Sequence, residues 1–140
     1  MRASMFPAAG LLLLAIALFP ACSNEAAQAS PPAQASAASG LPDRDPALAH
    51  KLVSEGAVLL DVRTPGEFAA GHLDGAVNVP VDELESRMPE IDKLAGGDKN
   101  RPIVVYCQAG GRAGRAKQKL VDAGHPQVTN LGGMRDWDEN

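Results

Sequence analysis

Cys107 is followed by Gln108, Ala109, Gly110, Gly111 and Arg112, and this run has the residue types needed for covalent chemistry. A thiol is a nucleophile only as its thiolate, so its ordinary pKa of about 8.5 has to fall before that form dominates at neutral pH. Gly110 and Gly111 allow the positive φ of a tight curl, in which successive backbone N–H groups turn inward and form a nest for an anion. The composition of 112–123 favours a helix with Gly124 as its stop, which brings the positive end of a helix dipole to the same place. These features predict a Cys107 pKa lowered toward the ~3.5–7.5 range of thiols at helix N-termini. Arg112, Arg115, Lys117 and Lys119 follow with no acid before Asp122, so the surroundings should be positive and suit an anionic, thiol-reactive substrate. The alternative is a lone cysteine acting as small buried filler, a role that needs neither the glycines nor the cations.

Such a loop has to be launched by a strand and received by a helix. Residues 103–106, Ile-Val-Val-Tyr, read as a strand buried on both faces of a parallel sheet. Upstream, Asp45 and Pro46 form an N-cap and first-turn pair, Leu48, Leu52 and Val53 share a helical face, and Gly56 ends the helix. Residues 57–60 read as a first strand. Thr64-Pro65-Gly66-Glu67 has the spacing of a capping box opening a short helix through Ala70. Residues 76–79 read as a second strand closed by Pro80. The segment 82–92 carries five acids against one arginine, with Leu84, Met88 and Ile91 on one helical face and the acids on a solvated one. Residues 128–131 read as a last strand, after which Gly132-Gly133 turns into a helical stub through Trp137. Strands alternating with short helices predict an α/β sandwich, a central parallel sheet with helices on both faces. Ligands of such sheets sit at the carboxyl ends of strands, where Cys107 lies.

The 140 residues allow one domain, placed at 43–140. From Asp43 onward there are 12 basic and 16 acidic residues, a balance that points away from nucleic acid. Residues 1–22 have Arg2, an apolar run over 11–19 and then Pro20-Ala21-Cys22, the layout of a secretory signal peptide and too short to span a bilayer. Phe19-Pro20-Ala21-Cys22 resembles the lipobox of bacterial lipoproteins, which implies lipidation at Cys22 and a periplasmic or cell-envelope location. The competing cut follows Ala29 and would discard Cys22. Residues 23–42 are rich in Ala, Ser and Pro with one charge, Glu25, and read as a flexible linker with a reach of about 25 Å. With Cys22 acylated or removed, Cys107 is the remaining thiol, and no internal disulfide can form. The three histidines, at 50, 72 and 125, lack ligand spacing, so neither a metal site nor another cofactor is expected.

Asp61-Val62-Arg63, Glu67-Phe68, Gly71-His72, Gly75-Ala76 and Asn78-Val79-Pro80 come in order before Tyr106-Cys107. Leu120, Gly124, Val128, Leu131-Gly132-Gly133-Met134 and Trp137 complete the series. The ordered set resembles the single-domain rhodanese family of sulfurtransferases over almost all of the chain from Asp43 to Trp137. The resemblance implies a rhodanese-like sandwich and a persulfide on Cys107. Its sulfur would come from a small anionic donor such as thiosulfate and pass to cyanide or a thiol acceptor. Gln108, Ala109, Gly110, Gly111 and Arg112 would then bind the donor, Arg112 either orienting its anionic end or pinning the loop. Gln108 stands where thiosulfate-using relatives often have a basic residue.

The six-residue loop, Cys107 to Arg112, matches sulfurtransferases, whereas related phosphatases and arsenate reductases carry one residue more. A docking or persulfide-carrier module without turnover is the reading from a different class. Asp61 and Arg63 are expected to hydrogen-bond around a strand end, Glu67 to pair with Arg63, and His72 to brace a loop rather than serve as a base.

Overall fold

The computed structural model describes residues 40–138. The signal peptide expected at 1–22, the lipidation site expected at Cys22 and residues 23–39 of the 23–42 linker lie outside the described residues. Four strands, β1 (Val58–Asp61), β2 (Val77–Asn78), β3 (Ile103–Cys107) and β4 (Val128–Gly133), pair in parallel in the order β2-β1-β3-β4. Every residue of β1 and β3 is buried, as the uninterrupted apolar runs require of central strands covered on both faces.

Alternation along the strands divides the core. Leu60, Ile103, Val105 and Cys107 face α4 (Gly111–Asp122) through Ala113, Ala116 and Leu120, and α3 (Met88–Leu94) adds Ile91 to the same layer. Leu59, Val104, Tyr106 and Leu131 face the other way, against Ala49 of α1 (Pro46–Ser54) and Met134 and Trp137 of a closing 3₁₀ helix, Met134–Asp138. Full burial of a side chain such as Leu120 contributes about 1.5–3 kcal/mol. The α/β architecture with helices on both faces is therefore as expected.

The local signals largely mark real boundaries. Asp45 caps α1 through the Leu48 N–H at 2.9 Å, and Thr64 with Glu67 forms the reciprocal capping box of α2 (Pro65–Ala70). Strand limits differ by a residue: β1 runs over 58–61 and β2 is confined to Val77–Asn78.

Two readings are corrected. The segment 82–92 is not one helix: it runs as turns until Met88, because Pro89 has no N–H to give and its ring would clash with the carbonyl one turn back. Gly132 and Gly133 do not turn the chain after β4 but belong to it, paired with Tyr106 and Cys107 across a register shift that leaves Leu131 as an extra residue. At the other end of the domain, Leu41 donates its N–H to the Val128 carbonyl at 2.8 Å, and the Thr129 hydroxyl donates to the Pro42 carbonyl at 2.5 Å. The last residues assigned to the linker are thus tied to β4.

Candidate active site

Cys107 is the last residue of β3, and α4 begins at Gly111, so the thiol sits at the carboxyl edge of the sheet between a strand end and a helix start. Gly110 holds the curl with φ of +90°, a left-handed value that a side chain there would strain. Its N–H donates to the Cys107 Sγ at 3.0 Å. Cys107 itself is 1% exposed, Gln108, Ala109 and Gly111 are exposed, and Arg112 is half-buried.

Burial pushes the Cys107 pKa up, and backbone N–H groups of Ala113, Ala109, Gly110 and Arg112 outweigh it, so the net movement is below the ordinary thiol value. Of the two glycines expected to form the curl, Gly110 alone takes a positive φ, while Gly111 opens α4. Alkylation of Cys107 by iodoacetamide, an uncharged reagent, should show the sign of this shift. As pH falls the rate should persist below about 8.5, the midpoint of a free thiol, and drop only as the lowered pKa is crossed. A midpoint at or above the free value would overturn the nest.

Arg112 does not point its two terminal nitrogens at open solvent. They donate to the Glu67 carboxylate at 2.6 and 2.7 Å, a bidentate clamp between α4 and α2. Arg112, then the Thr64 N–H and hydroxyl, hold Glu67 well below the usual carboxylate range. The expected Glu67–Arg63 pair is accordingly corrected. Arg63 instead pairs with Asp61, its Nε 3.0 Å from both carboxylate oxygens and its Nη2 2.6 Å from one of them. It also donates to the Gly71 carbonyl at 2.7 Å, and its guanidinium lies 5.7 Å from the centre of the Tyr106 ring. Asp61 and Arg63 are close enough in sequence to close a local ring, leaving Glu67 on α2 to face the loop.

The basic run after the loop is largely neutralised. Lys117 binds Asp43 at 2.5 Å and the Leu41 carbonyl at 2.7 Å, and Lys119 lies 3.1 Å from Glu85, while Arg115 is exposed. His72 stacks on Phe68 with ring centres 3.7 Å apart and its Nδ1 is 2.9 Å from the Phe68 carbonyl, which is a bracing position.

Two contributors escaped the sequence reading. Asn130 of β4 donates from Nδ2 to the Gly110 carbonyl at 3.2 Å and accepts the Gly132 N–H at 2.9 Å, so one side chain joins the loop to the bulge. Asparagine two residues before a glycine is a turn signal that would have flagged it. Gly133 backs the loop so closely that a Cβ there would lie 2.7 Å from the Gln108 carbonyl oxygen. Glycine is required at Gly133 for space.

A rhodanese-like domain model matches residues 45–140. The chain is 39% identical over 77 residues to thiosulfate sulfurtransferase PspE of Escherichia coli (strain K12), covering 55% of this chain and 70% of that protein. It is 36% identical over 102 residues to thiosulfate sulfurtransferase 16, chloroplastic, of Arabidopsis thaliana, covering 66% and 83%. Among solved structures, a rhodanese with anions from E. coli has a TM-score of 0.52 at 37% identity, over 58% of this chain and 91% of that one. The human single-domain sulfurtransferase TSTD1 has a TM-score of 0.55 at 33% identity, over 72% and 94%. Because the matched span takes in the whole sheet together with the loop that closes over Cys107, this chain belongs to the rhodanese-like domain family.

Proposed function

We propose that the protein is a sulfurtransferase that moves a sulfane sulfur from a thiosulfate-type donor to cyanide or a thiol through a persulfide on Cys107. The observation that carries this reading is the Gly110 N–H held on the Cys107 Sγ at 3.0 Å, in a loop whose backbone amides bring the thiol below its ordinary pKa. In the first step the Cys107 thiolate attacks the outer sulfur of the donor. The new S–S bond forms as the donor's own sulfur–sulfur bond breaks, and sulfite leaves with the electron pair. The terminal persulfide sulfur inherits the negative charge, and inward-facing amides at the loop stabilise it as they do the thiolate. In the second step cyanide or a thiolate attacks that terminal sulfur, giving thiocyanate or a new persulfide and returning Cys107 as the thiolate. No outside oxidant or reductant is consumed.

The six-residue loop from Cys107 to Arg112 supports sulfur transfer over phosphoryl or arsenate chemistry, since the related phosphatases and arsenate reductases carry one residue more. Both terminal nitrogens of Arg112 are held by Glu67. Arg112 on this reading pins the loop. Incubating the protein with thiosulfate should add the mass of one sulfur atom to the peptide containing Cys107, and cyanide should remove it as thiocyanate. Absence of both would favour a docking module without turnover.

The N-terminal pattern supports export, with Cys22 lipidated and the domain held at a membrane surface by residues 23–39. Mass spectrometry of the mature protein should find an acylated N-terminal Cys22. An unmodified N-terminus at Ser30 would replace the anchor with a released periplasmic form.

A further inference from the structure

Arg44 is the only non-glycine residue with a positive φ among the described residues, at +57°. A left-handed backbone costs a side-chain-bearing residue about 1–2 kcal/mol and has to be imposed by its neighbours. Here three successive residues are tied down. Asp43 accepts the Asn130 N–H at 2.9 Å, Arg44 donates its own N–H to the Asn130 carbonyl at 2.8 Å, and Asp45 caps α1.

The forced turn lays the exposed Arg44 side chain against the Cys107 loop from outside. Its Nη2 is 2.9 Å from where a Cβ of Gly110 would stand, and its Nη1 is 3.8 Å from the same point on Gly132. Gly110 is the residue whose N–H binds the Cys107 sulfur. Among the described residues no carboxylate comes within 4.0 Å of Arg44, whereas Arg112 is taken up by Glu67 and Lys117 by Asp43. Asp136, whose Oδ2 approaches the same point on Gly132, is engaged by the Gly133 N–H at 2.7 Å.

We infer that Arg44 is a donor-binding residue, supplied from outside the loop, that receives the anionic sulfonate end of a thiosulfate-type donor while Cys107 attacks its outer sulfur. This rests on the sulfurtransferase reading above and deepens it. A dianionic donor needs a cation at the rim with open N–H groups, and the loop's own arginine does not offer its fork. Arg44 provides one next to the amide that grips the reacting sulfur. Its planar donors match a sulfonate's oxygens, and its backbone strain is set by contacts made whether or not donor is bound.

The test compares wild type, Arg44→Asn and Arg44→Lys in two measurements: the thiosulfate concentration giving half-maximal rate of Cys107 persulfide formation, and the rate of alkylation by uncharged iodoacetamide. Asparagine tolerates the left-handed conformation, so that variant keeps the backbone while losing the charge. Arg44→Asn should raise the half-saturating thiosulfate about tenfold, with alkylation within about twofold of wild type and Arg44→Lys in between. An unchanged half-saturating concentration overturns the inference and leaves the sulfurtransferase reading standing. Parallel losses of persulfide formation and alkylation would make Arg44 a brace of the loop and also overturn it. No persulfide on wild type would instead bring down the sulfurtransferase reading, and the inference with it.

Discussion

Cys107→Ser should acquire no sulfur from thiosulfate, and thiocyanate formation should fall by at least on the order of 10³-fold, with the fold intact. The serine hydroxyl is nearly the size of the thiol it replaces and can accept the Gly110 N–H that now binds sulfur. A large loss of stability is therefore not expected, and thermal unfolding should move by only a few degrees. Chemistry fails for a different reason. A ring of amides can lower a thiol pKa into the working range, but a hydroxyl starts far too high to be ionised by the same contacts and would need a base to take its proton. His72, the histidine nearest in motif to that role, is stacked on Phe68 and hydrogen-bonded to its carbonyl. Retention of thiocyanate formation within tenfold of wild type would show that the sulfur travels by another route. The comparison is made by mass spectrometry of the Cys107 peptide and by the thiocyanate assay on the same preparation.

The largest effect on stability should follow Asp61→Ala, a loss of about 3–5 kcal/mol measured as a lowered midpoint of urea unfolding with an unchanged slope. Asp61 is 0% exposed and Arg63 3%, and four hydrogen bonds join the two residues. Removing the carboxylate leaves a guanidinium buried without its counter-ion, which is the costly case for an internal pair. Arg63→Met in the same chain should recover much of the loss, because then no charge is stranded. A loss below about 1 kcal/mol for the single variant would show that water reaches Arg63 and that the pair contributes little. The pair also matters to the site by position: it lies at the end of β1, and Arg63 reaches the Gly71 carbonyl just past α2. The helix that carries Glu67, and hence the clamp on Arg112, is anchored at that point.

How much of this was legible in the chain depends on how far apart the interacting groups are. The capping box at Thr64 and Glu67, the Asp45 cap and the stop at Gly124 are each written in a few adjacent residues. Each was found where expected. The continuous apolar run before Cys107 marked a central strand for the same reason, since burial on both faces is a property of the strand's own composition. In the 82–92 segment two local signals conflict: the apolar spacing fits one helix, and Pro89, whose missing N–H is just as local, holds the helix off until Met88.

What the chain determined alone was the candidate nucleophile and its setting: an unpaired cysteine between a strand and a helix, with a glycine, Gly110, whose positive φ turns its amide toward sulfur. Only the folded sheet decided which side chains meet around that loop. Glu67 meets Arg112 across 45 positions, Asn130 meets Gly110, and Arg44 is brought to the loop by hydrogen bonds to β4. Residue type makes a carboxylate or a guanidinium available to many partners, and nothing in local spacing ranks them. The parallel order β2-β1-β3-β4 and the bulge at Leu131 bring particular side chains within reach while burying the competing ones, and that geometry selects the pairs.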